Sequence, residues 1–403
     1  MRVAYYSPLP PETSGIADYS ALLLSALRTR MDVDAARRGR RARGDVALYH
    51  IGNNPDAHGW ILEQLRREPG VVVLHDFVLH HLVAGMTLGR KNGPAYLDAM
   101  ERDAGVAGRL LALGVIDGCI PPIWEVRAED FPLNAEVLEL ATGLIVHSRY
   151  VEERVRSRGY DGPLWRIPMA AWPAPEVKPE RPSGSPVLGA FGHMNASKRV
   201  PQLLDAFSRF RESTPEARLL LVGSSAPGLD LELRIEYEGL QDAVVREDYV
   251  DEERLWALIA GVDVVVSLRS PTMGETSAIV IRALTLGKPL VVTDVGWFAE
   301  LPDDVAVKVA PDEHEVERLA EAFAHVVEHA AEMSAAARAL AEGEHAVNRV
   351  ADLYAAALEE AAGGDAVRDA VLRELSETAA EVGIDAASGE AGAIGRALDE
   401  VEL

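Results

Sequence analysis

A single cysteine, Cys119, stands among 403 residues, which excludes an intrachain disulfide and a cysteine-rich metal site. No stretch of about 18 apolar residues occurs, so nothing in the sequence reads as a membrane span. Basic residues are scarce against acidic ones, 40 to 64, and the formal net charge of −24 argues against general nucleic-acid binding by the surface. No self-similarity with a period of 20–50 residues marks a solenoid. No Gly-x-Gly-x-x-Gly follows the first strand-like run, which argues against a dehydrogenase. Met1-Arg2-Val3-Ala4-Tyr5-Tyr6 leads directly into that run and does not read as a signal peptide. Together with the cysteine usage, this gives an expectation of cytoplasmic location.

What the chain does have is apolar material for two cores, 48% of its residues, at a length for which two domains are the prior. Short β-branched runs alternate with helically spaced apolar residues, the signature of a parallel α/β sheet. Strand-like runs at 2–6, 45–51, 71–74 and 143–147 form a first group, and runs at 186–191, 219–223, 242–247, 262–268 and 290–292 a second. Between them lies a proline-rich stretch of linker composition. The expected division is a Rossmann-like domain over 1–172, a linker over 173–186, a second Rossmann-like domain over 187–345, and C-terminal helices over 346–403. Those helices are expected to pack back on the first domain and to end in a loose acidic stretch.

The most informative stretch is 262–296: strand, polar turn, helix and strand in sequence, a βαβ unit. Glu275, Thr276 and Ser277 fall where its helix starts, at the carboxyl end of a strand, where such sheets bind ligands. Free amides in a first helical turn favour an anion. Thr276 or Ser277 could equally be an ordinary helix cap.

Other strand ends are polar too. Ser14 and Gly15 follow the first strand as either a ligand-bordering turn or a plain βα turn. His50 to Pro55 and His147 to Tyr150 follow later strands. His75-Asp76 places an imidazole and a carboxylate at a strand end, so His75 is expected to handle a sugar hydroxyl or a proton. His80 and His81 read as structural, and the spacing does not match His-Glu-x-x-His, so no metal is expected. In the second half, Gly192 and His193 open a loop that ends in Lys198 and Arg199 at a helix start. A cation there opposes the helix dipole unless an anion sits between them. Val250 follows another strand end and is placed to flank a base. Asp251 reads as a cap. Residues 28–43 hold seven arginines against two aspartates, either a solvated loop or a contact for an anionic membrane surface through Arg37–Arg43.

These motifs resemble the retaining glycosyltransferases of family 4, also called glycosyltransferase group 1, with the two-domain GT-B fold. The resemblance rests on Pro10 to Tyr19, on Phe191-Gly192 with Lys198, on Val262–Leu268 through Val292, and on Val295 to Pro302, and covers about 1–360. It implies a retaining, metal-independent transfer of sugar from a nucleoside-diphosphate sugar to a carbohydrate or lipid-linked acceptor. Implied catalytic residues are His75, Lys198 and Glu275. Implied donor contacts are Ser14, Gly15, Gly192, His193, Arg199, Val250, Thr276, Ser277, Ala278 and Arg282. No cofactor, no metal and no nucleic-acid partner is implied.

Two departures stand out. Aligning Arg282-Ala283-Leu284 with the family's Glu-Ala-Met puts Arg282 where a second glutamate belongs. The first then falls on Gly274, with Glu275 displaced by one. His193 stands where the family often has arginine. The altered signature keeps a rival open: a non-catalytic partner that binds a sugar nucleotide without transfer. An epimerase on the same fold lacks an obvious set of catalytic carboxylates.

Overall fold

Every strand among the described residues pairs in parallel with its neighbours. The inner strands are buried on both faces, as parallel sheets require, most simply in the apolar runs Val71–Leu74 and Leu290–Val292. The computed structural model describes residues 1–12, 14–363 and 365–384. Thr13 of the N-terminal loop and the acidic end beyond residue 384 lie outside the described residues.

The first sheet holds β1 (Arg2–Tyr6), β2 (Asp32–Ala35), β3 (Val46–Ile51), β4 (Gly70–Leu74), β5 (Ala141–Val146) and β6 (Leu164–Arg166), in the order β2-β1-β3-β4-β5-β6. The second holds β7 (Val187–Phe191), β8 (Arg218–Val222), β9 (Val244–Glu247), β10 (Val264–Ser267), β11 (Leu290–Thr293) and β12 (Ala306–Val309), in the order β12-β11-β10-β7-β8-β9. Residues 167–186, between the sheets, form no regular element. Helices flank both sheets: this is the GT-B architecture of two α/β layers.

Strand order reverses once in each sheet, between β1 and β3 and between β7 and β10. Loops leaving neighbouring strands at such a point turn to opposite faces and open a crevice. The crevice loops are therefore 7–14 and 52–54 in the first half, and 192–199 and 268–277 in the second.

Helix starts are set by local side chains. Ser14 caps the helix Gly15–Leu27, Ser148 caps Arg149–Ser157, and Asp251 caps Glu252–Gly261, each accepting from a backbone N–H of the first turn. The helix of the signature stretch begins at Ala278, capped by Ser277. It starts later than the pattern suggests, because residues 268–277 form a loop held by its own hydrogen bonds.

The helix Val347–Ala362 returns to the first half. Tyr354 Oη lies 3.3 Å from Tyr19 Oη, Arg30 meets Asp352 at 2.5 Å, and Trp165 donates to Glu360 at 2.9 Å. The two halves also meet directly. Val78 N–H donates to the Met273 carbonyl at 2.9 Å. Glu300 accepts from the amides of Arg149 and Tyr150 at 3.0 and 2.6 Å, placing a carboxylate at a helix amino end, where it is favoured.

No described helix is long and apolar enough to cross a membrane.

Candidate active site

Both crevices open onto one cleft. A cavity of about 540 Å³ is lined from the first half by Pro10, Pro11, Glu12, Ser14, Gly15 and Asp18, and from the second by Gly192, His193, Val250, Glu252, Ala278 and Arg282, among others. A second cavity of about 270 Å³ shares Ser14, Gly15 and Ala278 with it and runs to Asn53, His58, His75, Asp76, His147, Glu275 and Thr276. The halves approach closely at Gly15, where a Cβ would sit 3.9 Å from Ala278 Cβ.

The positive pole lies at the β7–β10 switch point. Lys198 Nζ folds back to donate to the Phe191 carbonyl at 2.8 Å. Gly192 makes room for it: with φ +97°, its absent Cβ would lie 3.1 Å from that ammonium. Burial, and then the Arg269 guanidinium, push the Lys198 pKa down to about 7, while Glu275 pulls it up. An anion bound beside it would restore the charge. Arg269, the second residue past β10, meets Glu275 at 2.6 Å and Ser197 Oγ at 3.3 Å. The helix amides of Ala278 and Ile279 precede the first intrahelical bonds. The Thr276 hydroxyl is buried without a partner among the described residues.

Several expected residues are placed differently from the sequence reading. Arg199 is turned away from the phosphate loop: it donates to both oxygens of Glu315, at 2.7 and 2.8 Å. Its backbone stands in the left-handed region at φ 52°. Ser277 uses its hydroxyl as the cap of Val280 N–H at 3.3 Å. Glu275 has both oxygens engaged, one by Arg269 and the other by Thr272 Oγ1 and Met273 N–H at 3.0 and 2.7 Å. It braces the loop through Oε2, while Oε1 faces Arg269 as an ion pair in which Arg269 Nε makes no hydrogen bond among the described residues, so Oε1 keeps acceptor capacity.

His75 is also fully engaged. His147 Nδ1 lies 2.8 Å from the Ile167 carbonyl, and a carbonyl only accepts, so that nitrogen carries the proton. In neutral rings, His147 Nε2 then accepts from His75 Nδ1 at 3.2 Å. His75 Nε2 in turn accepts from His50 Nδ1 at 2.9 Å. Burial pushes all three pKa values down, His147 to about 4 and the other two well below the ordinary range. The expected handler of protons is therefore the middle ring of a neutral, tautomer-locked row. His80 is structural as expected, bonded to the Phe131 carbonyl at 2.7 Å and Tyr96 Oη at 2.8 Å.

Arg282 is 3% exposed. Its guanidinium stacks 3.9 Å from the Trp172 ring centroid and meets Glu252 at 3.2 Å and Asp18 at 3.7 Å. It joins a helix of the second half to Asp18 of the first. Val250 lies beside exposed Tyr249 on the wall of the larger cavity, and His193 Nδ1 lies 3.0 Å from Ser224 Oγ. Most of Arg37–Arg43 is exposed, with Arg38 on Glu12 at 3.2 Å and Arg40 on Asp34 at 2.6 Å. Among the described residues, no group of three or more His, Cys, Asp or Glu is placed to hold a metal ion.

Arg269, Asp18, Glu252 and His58 were not expected from the sequence. The rule that ligand groups follow strand ends applies to Arg269 as directly as to Glu275 and signals it. Asp18 and Glu252 come from separate halves, and no spacing signals their meeting.

No curated protein matches the sequence. Among solved structures, sucrose-phosphate synthase from Thermosynechococcus elongatus is 18% identical, with a TM-score of 0.61 over 89% of this chain and 98% of its own. Anabaena HepE, solved with UDP and glucose, is 14% identical, with a TM-score of 0.55 over 89% of this chain and 100% of its own. A TarM structure from S. aureus, solved with UDP among its ligands, is 16% identical with a TM-score of 0.48 over 57% of this chain; the match spans 46% of TarM's own length. For the first two the likeness is one of fold. Residues 185–329, which hold the Lys198 loop, Arg269 and the Ala278 helix, match the family of glycosyl transferases group 1.

Proposed function

We propose that the protein is a retaining, metal-independent glycosyltransferase that moves a sugar from a nucleoside-diphosphate sugar to a hydroxyl of a carbohydrate or lipid-linked acceptor. One observation carries this reading. At a strand-order reversal, the Lys198 loop is joined to the loop that carries Arg269 and leads into the Ala278 helix, Ser270 N–H donating to the Ser197 carbonyl at 2.8 Å and the Arg269 guanidinium acting on Lys198, in the segment that matches a glycosyltransferase family. Charge develops on the leaving diphosphate, and fixed positive potential there lowers the barrier. This chain supplies that potential from side chains and amides. Val250 and Tyr249 flank the base, and the acceptor enters the smaller cavity from the first half. HepE, of the same fold, was solved with UDP and glucose.

The exposed arginines of 37–43 suit a peripheral contact with an anionic membrane surface on the cytoplasmic side, close to a lipid-linked acceptor. The test of function is direct. Purified protein is screened by thermal shift with UDP-, GDP- and ADP-sugars, since a ligand of the native state raises its stability. The anomeric configuration of the product is then read by NMR. Binding and transfer with retention support the reading; inversion removes the retaining assignment.

The locked position of Arg282, stacked on Trp172 and paired with Glu252 and Asp18, favours a second reading. In it, the chain binds a sugar nucleotide as a non-catalytic partner subunit. Donor hydrolysis or transfer by the purified chain alone excludes it.

A further inference from the structure

Of the acid–base groups around the smaller cavity, most are already spent on the protein. His75 uses both ring nitrogens on His50 and His147, and His147 uses its own on His75 and the Ile167 carbonyl. Glu275 is tied into its own loop through Oε2 by Thr272 and Met273, and its Oε1 is ion-paired with Arg269. Asp76 differs. Its Oδ2 accepts from Asn53 N–H at 2.8 Å, which fixes the carboxyl group in place. Its Oδ1 has no partner among the described residues, and the accessible part of the residue lines the cavity. His58 stands next to it: its Nδ1 donates to the His50 carbonyl at 3.0 Å, leaving Nε2 as a lone pair toward the same space. Gly52 keeps that space open. A Cβ there would lie 2.9 Å from His58 Nε2 and 3.2 Å from Asp76 Oδ2.

We propose that Asp76 is the catalytic base that takes the proton of the attacking hydroxyl. The proposal rests on the transfer reading above and adds a residue to it. In the step, the acceptor O–H bond breaks and its proton goes to Asp76 Oδ1. The oxygen's electron pair forms the bond to the anomeric carbon on the face from which the diphosphate departs, as retention requires. The bond from that carbon to the diphosphate oxygen breaks, and its pair leaves on the diphosphate toward Lys198 and Arg269. Asp76 later returns the proton to water.

The surroundings suit a base. Burial and the Glu275 carboxylate raise the Asp76 pKa to about 7, against the pull of the Asn53 amide and Arg269. A base poised near the working pH is the most effective. The other titratable groups packed around it, His58, His75, His147 and His50, are held neutral by burial. Glu275 and Arg269 offset one another at 2.6 Å.

The experiment uses the full chain and needs no identified acceptor, because water attacks by the same step. Hydrolysis of whichever of UDP-, GDP- or ADP-glucose gives the largest thermal shift is followed from pH 5 to 9. In the wild type, kcat should rise with pH through about 7, the carboxylate being the active form. Asp76→Asn keeps an acceptor for Asn53 N–H. It should lower kcat about 10²–10³-fold and remove the rising limb, with the nucleotide-induced shift unchanged. Asp76→Ala should regain rate with added formate, which a merely structural role does not allow. A D76N enzyme within about threefold of wild type, or one that keeps the limb near pH 7, overturns the proposal and leaves the transfer reading standing. A wild type that neither binds nor hydrolyses any of the three sugar nucleotides overturns the transfer reading itself.

Discussion

Arg269 Nε lies 2.6 Å from Glu275 Oε1, so the glutamate of the signature loop is ion-paired with an arginine of the same loop. The pair fixes a cation beside Lys198, whose pKa responds to both members. Lys198→Ala and Arg269→Ala should each lower turnover about 10²–10³-fold. Lys198→Ala should do so without loss of the folded state, measured by circular dichroism alongside initial rates. Near wild-type rates in either variant would remove the phosphate role assigned to this pair.

Arg282 bridges the halves through Glu252 and Asp18. Arg282→Met keeps much of the contact with Trp172 but strands two carboxylates. Both are partly exposed, 49% and 37% in their side chains, so water screens the loss. The expected destabilisation is about 1–3 kcal/mol, read by urea denaturation. An unchanged midpoint would mean that the ion pairs do not hold the halves together.

Stability should depend on pH with two opposite signs. His58 and His147 have folded pKa values of about 4, and His50 and His75 are also depressed. Between about 4 and 6.5 the unfolded chain binds more protons, so stability falls as pH drops through that window. Asp76 works the other way. Its folded pKa of about 7 lies above the ordinary 3.8, so its contribution is present below 3.8 and lost as pH rises through 7. Asp76→Asn should therefore raise Tm at pH 8 and change it little at pH 4. Thermal melts of both proteins across this range check it; an equal difference at both pH values would contradict it.

Gly52 is where a small change should separate acceptor from donor. A methyl group there meets Ile16, His58 and Asp76 at 2.7–3.2 Å, so these side chains must shift. Gly52→Ala should lower acceptor kcat/KM about tenfold or more and leave the thermal shift by nucleotide intact. Unaltered acceptor kinetics would place the acceptor elsewhere.

Strand-and-helix alternation made the fold readable. Inner strands such as Val71–Leu74 and Leu219–Val222 announce themselves as continuous apolar runs because both faces are buried. Two edge strands do not: Asp32–Ala35 carries two aspartates, and Leu164–Arg166 has only three residues. The site was readable as loops and not as contacts. Strand ends located Ser14, His75, Lys198 and Glu275, since topology puts ligands there. The sequence could not show that His75 is bonded on both sides by histidines 25 and 72 positions away, nor that Arg199 turns to Glu315, 116 positions on. Such partners follow from how strands neighbour one another in space, which local spacing does not encode.

The central claim is tested most directly by a crystal structure of the protein with the nucleoside diphosphate that stabilises it best, UDP, GDP or ADP. The account predicts diphosphate density between Lys198, Arg269 and the amides of Ala278 and Ile279, with the nucleoside running toward Val250. Density on any other face of the second domain, or a diphosphate that leaves Lys198 and Arg269 uncontacted, would contradict it.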